Sequence, residues 1–82
     1  MKIGQIVYSK AGRDKGKALI IISSSDSGVF VVDGKERPLE RPKLKNIKHL
    51  EFTDFCLSDN EYRSNKALKA ALKRYQAKKD EL

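Results

Sequence analysis

Leu19, Ile20, Ile21 and Ile22 stand consecutively within the segment Lys17-Ala18-Leu19-Ile20-Ile21-Ile22-Ser23-Ser24. Side chains of a β-strand point alternately to opposite faces, so four apolar residues in a row place apolar surface on both sides of one strand. The run is too short for a helix and is bounded by a glycine-containing loop and a serine cluster, which marks it as a strand. Such a strand is expected at the centre of a sheet, covered on both faces. An 82-residue chain buries only about 60 to 65% of its unfolded surface, so one domain with a thin core is expected. A large enzyme with a deep pocket is not expected.

The neighbours of this run extend the β pattern. Residues 3 to 9 (Ile-Gly-Gln-Ile-Val-Tyr-Ser) are β-branched and aromatic and read as a first strand, with 17 to 24 as the second. Ser23 to Gly28 is a cluster of turn formers, and Val29-Phe30-Val31-Val32 follows as a third strand ending at the hairpin signal Asp33-Gly34. The segment 36 to 42 carries Pro38 and Pro42, which donate nothing to a ladder and confine a fourth strand to an edge or a bulged loop. Strands two, three and four read as an antiparallel meander. Lys43 to Leu50 ends in Ile47-Lys48-His49-Leu50, the expected fifth strand. Five short strands in about fifty residues predict a small, partly open barrel.

From Ser58 the period changes. Ser58-Asp59-Asn60-Glu61 has the spacing of a capping box, and Ala, Leu, Lys and Arg dominate to residue 79. At 100° per residue Leu68, Ala71, Leu72 and Tyr75 share one face of the predicted helix, with Lys66, Lys69 and Lys73 on the other. The expected organisation is a barrel over 1–52, a connection over 53–57, a helix over 58–79 packed on the barrel, and a frayed tail over 80–82. The fold class is mainly β with a C-terminal α-helix.

Charge then narrows function. Lys and Arg number 18 against 11 Asp and Glu, a balance that points toward a polyanion but also serves solubility. Residues 1–51 hold 11 cations against 6 acids and residues 52–82 hold 7 against 5, so the barrel is the more basic part. In the loop Ala11-Gly12-Arg13-Asp14-Lys15-Gly16-Lys17 the two glycines serve the backbone geometry of a tight connection. The side chains between them are a separate matter: Arg13 and Lys15, flanked by Lys10 and Lys17, would project from a tip able to approach a sugar-phosphate backbone. The same bias recurs in Lys35, Arg37, Arg41, Lys43, Lys45 and Lys48; a solvated surface is the competing reading of those scattered cations.

Other chemistry is thinly represented. Cys56 and His49 are the single cysteine and histidine, which excludes an internal disulfide and the usual four-ligand His/Cys metal site. His49 is expected at the end of the last strand, and Cys56 as a small hydrophobe under the helix near Phe52 and Phe55, which with Leu57 would seat the connection on the barrel. Paired carboxylates at catalytic spacing, GxxxxGK[ST] and GxGxxG are absent, so neither an enzyme nor a cofactor is expected. Tyr8, Phe30, Tyr62 and Tyr75 read as core rather than as stacking surfaces. No apolar run reaches the roughly 18 to 20 residues that cross a bilayer, and the N-terminus lacks an apolar secretory stretch. A cytoplasmic monomer off the membrane is expected. The terminal Lys79-Asp80-Glu81-Leu82 spells the endoplasmic-reticulum retention address, and is read here as a charged helix end.

The segment Gly4 to Gly34 resembles a KOW motif: an opening strand, the loop Gly12-Arg13-Asp14-Lys15-Gly16-Lys17, the apolar strand, and a return strand ending in Asp33-Gly34. Together with Asn46-Ile47-Lys48-His49-Leu50-Glu51, the pattern Val7-Tyr8-Ser9-Lys10-Ala11-Gly12 through Gly16 is similar to the archaeal and eukaryotic large-subunit ribosomal proteins of the "fourteen-e" type and their short bacterial relatives. The resemblance covers about 50 of the 82 residues. It implies an SH3-like barrel and binding of structured or ribosomal RNA, with Lys10, Arg13, Lys15, Lys17, Asn46, Lys48 and His49 facing it. Because KOW barrels also resemble parts of transcription elongation factors, a protein adaptor docking on ribosomal proteins or RNA polymerase is the alternative; an interfacial membrane-binding helix over 58–79 is weaker still, its apolar face lacking Trp and Phe.

Overall fold

The central strand reads as predicted. In the computed structural model, which describes residues 2–80 and side chains to residue 77, β1 (Gln5–Ser9), β2 (Ala18–Ser25), β3 (Gly28–Val32), β4 (Lys43–Lys45) and β5 (Leu50–Cys56) form one sheet in the order β4-β3-β2-β1-β5. All neighbouring pairs are antiparallel. The result is a mainly β domain, a small SH3-like barrel followed by one helix, α1 (Asn65–Asp80).

Alternation along the strands sorts the apolar residues into two cores. Leu19 and Ile21 of β2 join Val7, Val29, Val31 and Leu50, with Phe52 against them, on one face. Ala18 and Ile20 join Ile6, Tyr8 and Val32 on the other, and there Leu68 and Leu72 of α1 close the layer. The unbroken apolar run is thus explained: strand partners cover one side of β2 and the helix covers the other. Leu68 is fully buried and Leu72 nearly so, each contributing about 1.5 to 3 kcal/mol by burial.

Four boundaries differ from the sequence reading. Residues 33–42 make no ladder; Asp33 Oδ1 instead accepts the backbone N–H of Lys35 and Arg37, both at 2.8 Å, and the fourth strand is displaced to Lys43–Lys45. Asn65, in the first turn of α1, explains why: it accepts the N–H of Leu39 at 2.8 Å and donates to Glu40 at 2.7 Å, docking the proline segment on the helix rather than on the sheet. Ile47–His49 is a 3-10 turn and not strand, capped by Asn46, whose side chain accepts the N–H of Lys48 at 2.9 Å. The fifth strand starts at Leu50 and absorbs most of the expected connection, two extra residues of β5 being taken up where the register shifts between Gln5 and Val7. Thr53 fills this irregularity, its hydroxyl donating to Ile6 O at 2.7 Å while its carbonyl accepts from the Gln5 amide, also at 2.7 Å.

The capping box at Ser58 also opens a shorter element than expected, a 3-10 turn over Asp59–Tyr62 in which the Ser58 N–H donates to Glu61 at 2.9 Å. The α-helix begins later, where Ser64 Oγ accepts the N–H of Ala67 at 3.1 Å, an N-cap three positions ahead of its donor. Its packing face is the one predicted: Leu68, Ala71 and Leu72 are buried and Tyr75 packs against the same cluster. Cys56 is exposed rather than tucked under the helix, because it ends an edge strand opposite Gln5. Phe55 is also 60% exposed, meeting Tyr75 edge-on at 5.1 Å. The retention tetrapeptide and the tail over 80–82 lie largely outside the described residues.

Candidate nucleic-acid interface

The glycine-bounded loop is held rigid at both ends. Ser9 O accepts the N–H of Gly16 at 2.8 Å, Ser9 N–H donates to Lys17 O at 3.2 Å, and Lys10 N–H donates to His49 O at 2.7 Å. Within it Gly12–Asp14 winds one 3-10 turn, closed by the Lys15 and Lys17 N–H groups donating to Gly12 O and Asp14 O. Gly12 and Gly16 have φ of 77° and 83°, values that disfavour any side chain.

That turn points successive side chains in different directions. Asp14 is fully buried while Arg13 and Lys15 on either side are exposed. Asp14 Oδ2 accepts from Arg37 Nε and Nη2, both at 3.3 Å, and lies 3.4 Å from Lys45 Nζ. Lys45 also donates to Ser9 Oγ and Ala11 O at 3.4 Å. Burial alone would raise the Asp14 pKa; hydrogen bonding and charge from Arg37, then from Lys45, outweigh it and hold the carboxyl below its ordinary value. The second oxygen, Oδ1, is buried with no hydrogen-bond partner. The acid inside the loop is therefore withdrawn beneath it and matched by two cations, which leaves the outward tip positive.

The twelve predicted contact residues divide accordingly. Lys10, Arg13, Lys15, Lys17, Lys35, Arg41, Lys43, Asn46, Lys48 and His49 are exposed, whereas Arg37 and Lys45 are partly buried and turned to Asp14. Lys17 is paired with Glu36 at 2.9 Å on the surface; this hydrogen bond raises the lysine pKa and lowers that of the glutamate, on which Arg13 also acts. Asn46 is a cap, its side-chain oxygen directed at Lys48 N–H.

Two shallow depressions flank the loop. One, of about 460 Å³, is lined by Lys10, Lys15, Gly16, Glu51 and Gln76 over Tyr8 and Ser9. The other, of about 230 Å³, lies between Gly16, Lys17 and Lys35 on the barrel and Lys69, Lys73 and Gln76 on α1. Sequence reasoning missed Asp14 as the organiser of the loop and Lys69 and Lys73 as neighbours of it. The helical spacing of the lysines was visible, but which part of the barrel their flank borders depends on how α1 docks. Among the described residues there is no group of three or more His, Cys, Asp and Glu side chains placed to hold a metal ion, and no helix is long and apolar enough to cross a membrane. No protein-family model matches the chain.

Proposed function

We propose that the protein is a non-catalytic RNA-binding module of the translation apparatus, holding structured or ribosomal RNA by its phosphates through the Gly12–Lys17 loop. The observation that carries this reading is the inward turn of Asp14 onto Arg37 and Lys45, which separates the loop's negative charge from the exposed Arg13 and Lys15. A rigid tip bearing cations suits phosphate contact, which positions a protein on nucleic acid without reading bases. RNA as the polyanion comes from the KOW resemblance of residues 4–34.

Counterion release makes the test quantitative. Each phosphate contact contributes a log–log salt slope of about −0.7 to −0.9, so four or five contacts give a slope near −3 to −4. Arg13→Ala with Lys15→Ala is expected to reduce both affinity and slope while the melting temperature stays put. Binding to a labelled RNA hairpin with no dependence on salt would remove the proposal.

The adaptor reading draws on a different observation, the exposed Phe55 beside Cys56, Leu57 and Tyr75 in a depression of about 370 Å³. Co-sedimentation with ribosomes or polymerase that survives nuclease, and is lost in Phe55→Ser, would favour it over RNA binding.

A further inference from the structure

Helix α1 carries Lys69 and Lys73 one turn apart, a like-charge pair that weakens an isolated helix, and both border the loop rather than open solvent alone. The two depressions beside the loop share Gly16 and Gln76, so they lie side by side with these two residues on their common border. That border is low at Gly16, where a Cβ would meet nothing within 4 Å. Lys10 and Lys15 stand on one side of it, and Lys17, Lys35, Lys69 and Lys73 on the other. The acids in the lining are Glu51, on the side of Lys10 and Lys15, and Asp33, whose carboxylate accepts two N–H groups of its own turn, while Lys17 is paired with Glu36 at 2.9 Å.

We infer that α1 is the second wall of a single cationic trough whose first wall is the Gly12–Lys17 loop, and that its occupant is the phosphodiester backbone of a paired RNA segment. This deepens the RNA-binding reading and rests on it. Lysine binds phosphate as a flexible point charge, and lysines on two facing walls neutralise a strand of phosphates passing between them. Glycine and glutamine at the centre leave room for backbone but offer no stacking platform, and Tyr8 beneath is only 9% exposed. Unpaired strands are held by bases stacked on exposed rings. Paired RNA keeps its bases stacked inside and presents phosphates outward, which is what a lysine-walled trough accepts.

The experiment measures binding of the full chain to a labelled RNA hairpin by anisotropy across a salt series. Lys69→Gln with Lys73→Gln is expected to lower affinity about five- to tenfold at low salt and to flatten the log–log slope by about 1.5, two contacts' worth. Arg63→Gln with Arg74→Gln removes the same charge from outside the trough, Arg74 lying beside Phe55 and Tyr75, and is expected to leave the slope unchanged. Lys69→Arg with Lys73→Arg should restore binding, and Gln76→Glu, a carboxylate at the midpoint, should weaken it. Unchanged helical circular dichroism in each variant ties these effects to the surface.

Equal losses in the Lys69/Lys73 and Arg63/Arg74 variants would reduce the effect to net charge and overturn the trough. A slope unchanged in Lys69→Gln/Lys73→Gln but lost in Arg13→Ala/Lys15→Ala would also overturn it while leaving the loop reading standing. Tighter binding to an unpaired strand of the same composition would overturn the choice of paired RNA. A parent chain that does not bind the hairpin would remove both readings together.

Discussion

The Asp14 carboxylate and the Arg37 guanidinium meet at 3.3 Å across 23 positions of sequence, with Asp14 1% exposed at its side chain and Arg37 24%. The pair joins the underside of the glycine-bounded loop to the segment that docks on α1. It therefore couples the conformation of the candidate interface to the stability of the barrel.

Asp14→Asn is expected to destabilise the fold by about 3 kcal/mol at neutral pH, the scale for removing one partner of a buried ion pair, or roughly 12 to 24 °C in Tm for a domain this small. Its pKa is depressed in the folded state, so its contribution is present above the unfolded-state pKa and is lost as pH falls through the folded one. The gap in stability between parent and variant should accordingly narrow below the ordinary carboxylate range. Urea unfolding at several pH values checks this; a gap that widens on acidification would contradict the assignment.

Gly34→Ala should also be strongly destabilising. Gly34 has φ of 83°, and a Cβ there would sit 2.5 Å from Asn65 O and 3.2 Å from Lys69 N, both backbone atoms of α1. Strain of about 1 to 3 kcal/mol adds to a displaced helix. The measurable signature is faster tryptic cleavage at Lys69 and Lys73 than in the parent.

Glu36→Gln should strengthen RNA binding. Glu36 holds Lys17 at 2.9 Å on the surface, and removing its charge frees Lys17 for phosphate. Affinity at low salt is expected to rise about two- to fivefold with a slope steeper by just under one, the effect of one additional contact. Anisotropy titrations over a salt series read both quantities, and weaker binding in the variant would count against a role for Lys17.

Leu68→Ala tests the helix as a structural cover. Leu68 is fully buried against Ile6, Ile20 and Val32, and its truncation should cost about 2 to 5 kcal/mol through lost burial and the cavity left behind. Thermal melting by circular dichroism measures it. A loss below about 1 kcal/mol would mean that α1 contributes little to covering β2.

Much of this architecture is written locally. The unbroken run Leu19 to Ile22 requires cover on two faces wherever it folds, because strand side chains alternate; the helical face of Leu68, Ala71 and Leu72 follows from a period of 3.6 in the same way. The cationic loop between Gly12 and Gly16 could likewise be read from residue types alone. Which of its charges face outward could not. Asp14 is drawn in by Arg37 and Lys45, 23 and 31 positions later, and Lys69 and Lys73 come to the loop because Leu68 and Leu72 pack on the barrel and Gly34 and Asn65 fix how the start of α1 lies on it. Short-range pattern determines the central strands, the existence of the helix and which faces are apolar; the placing of the fourth strand, whose predecessor docks on Asn65, the partners of buried charges and the neighbours of exposed ones are set by contacts distant in sequence, and these the tertiary structure alone decides.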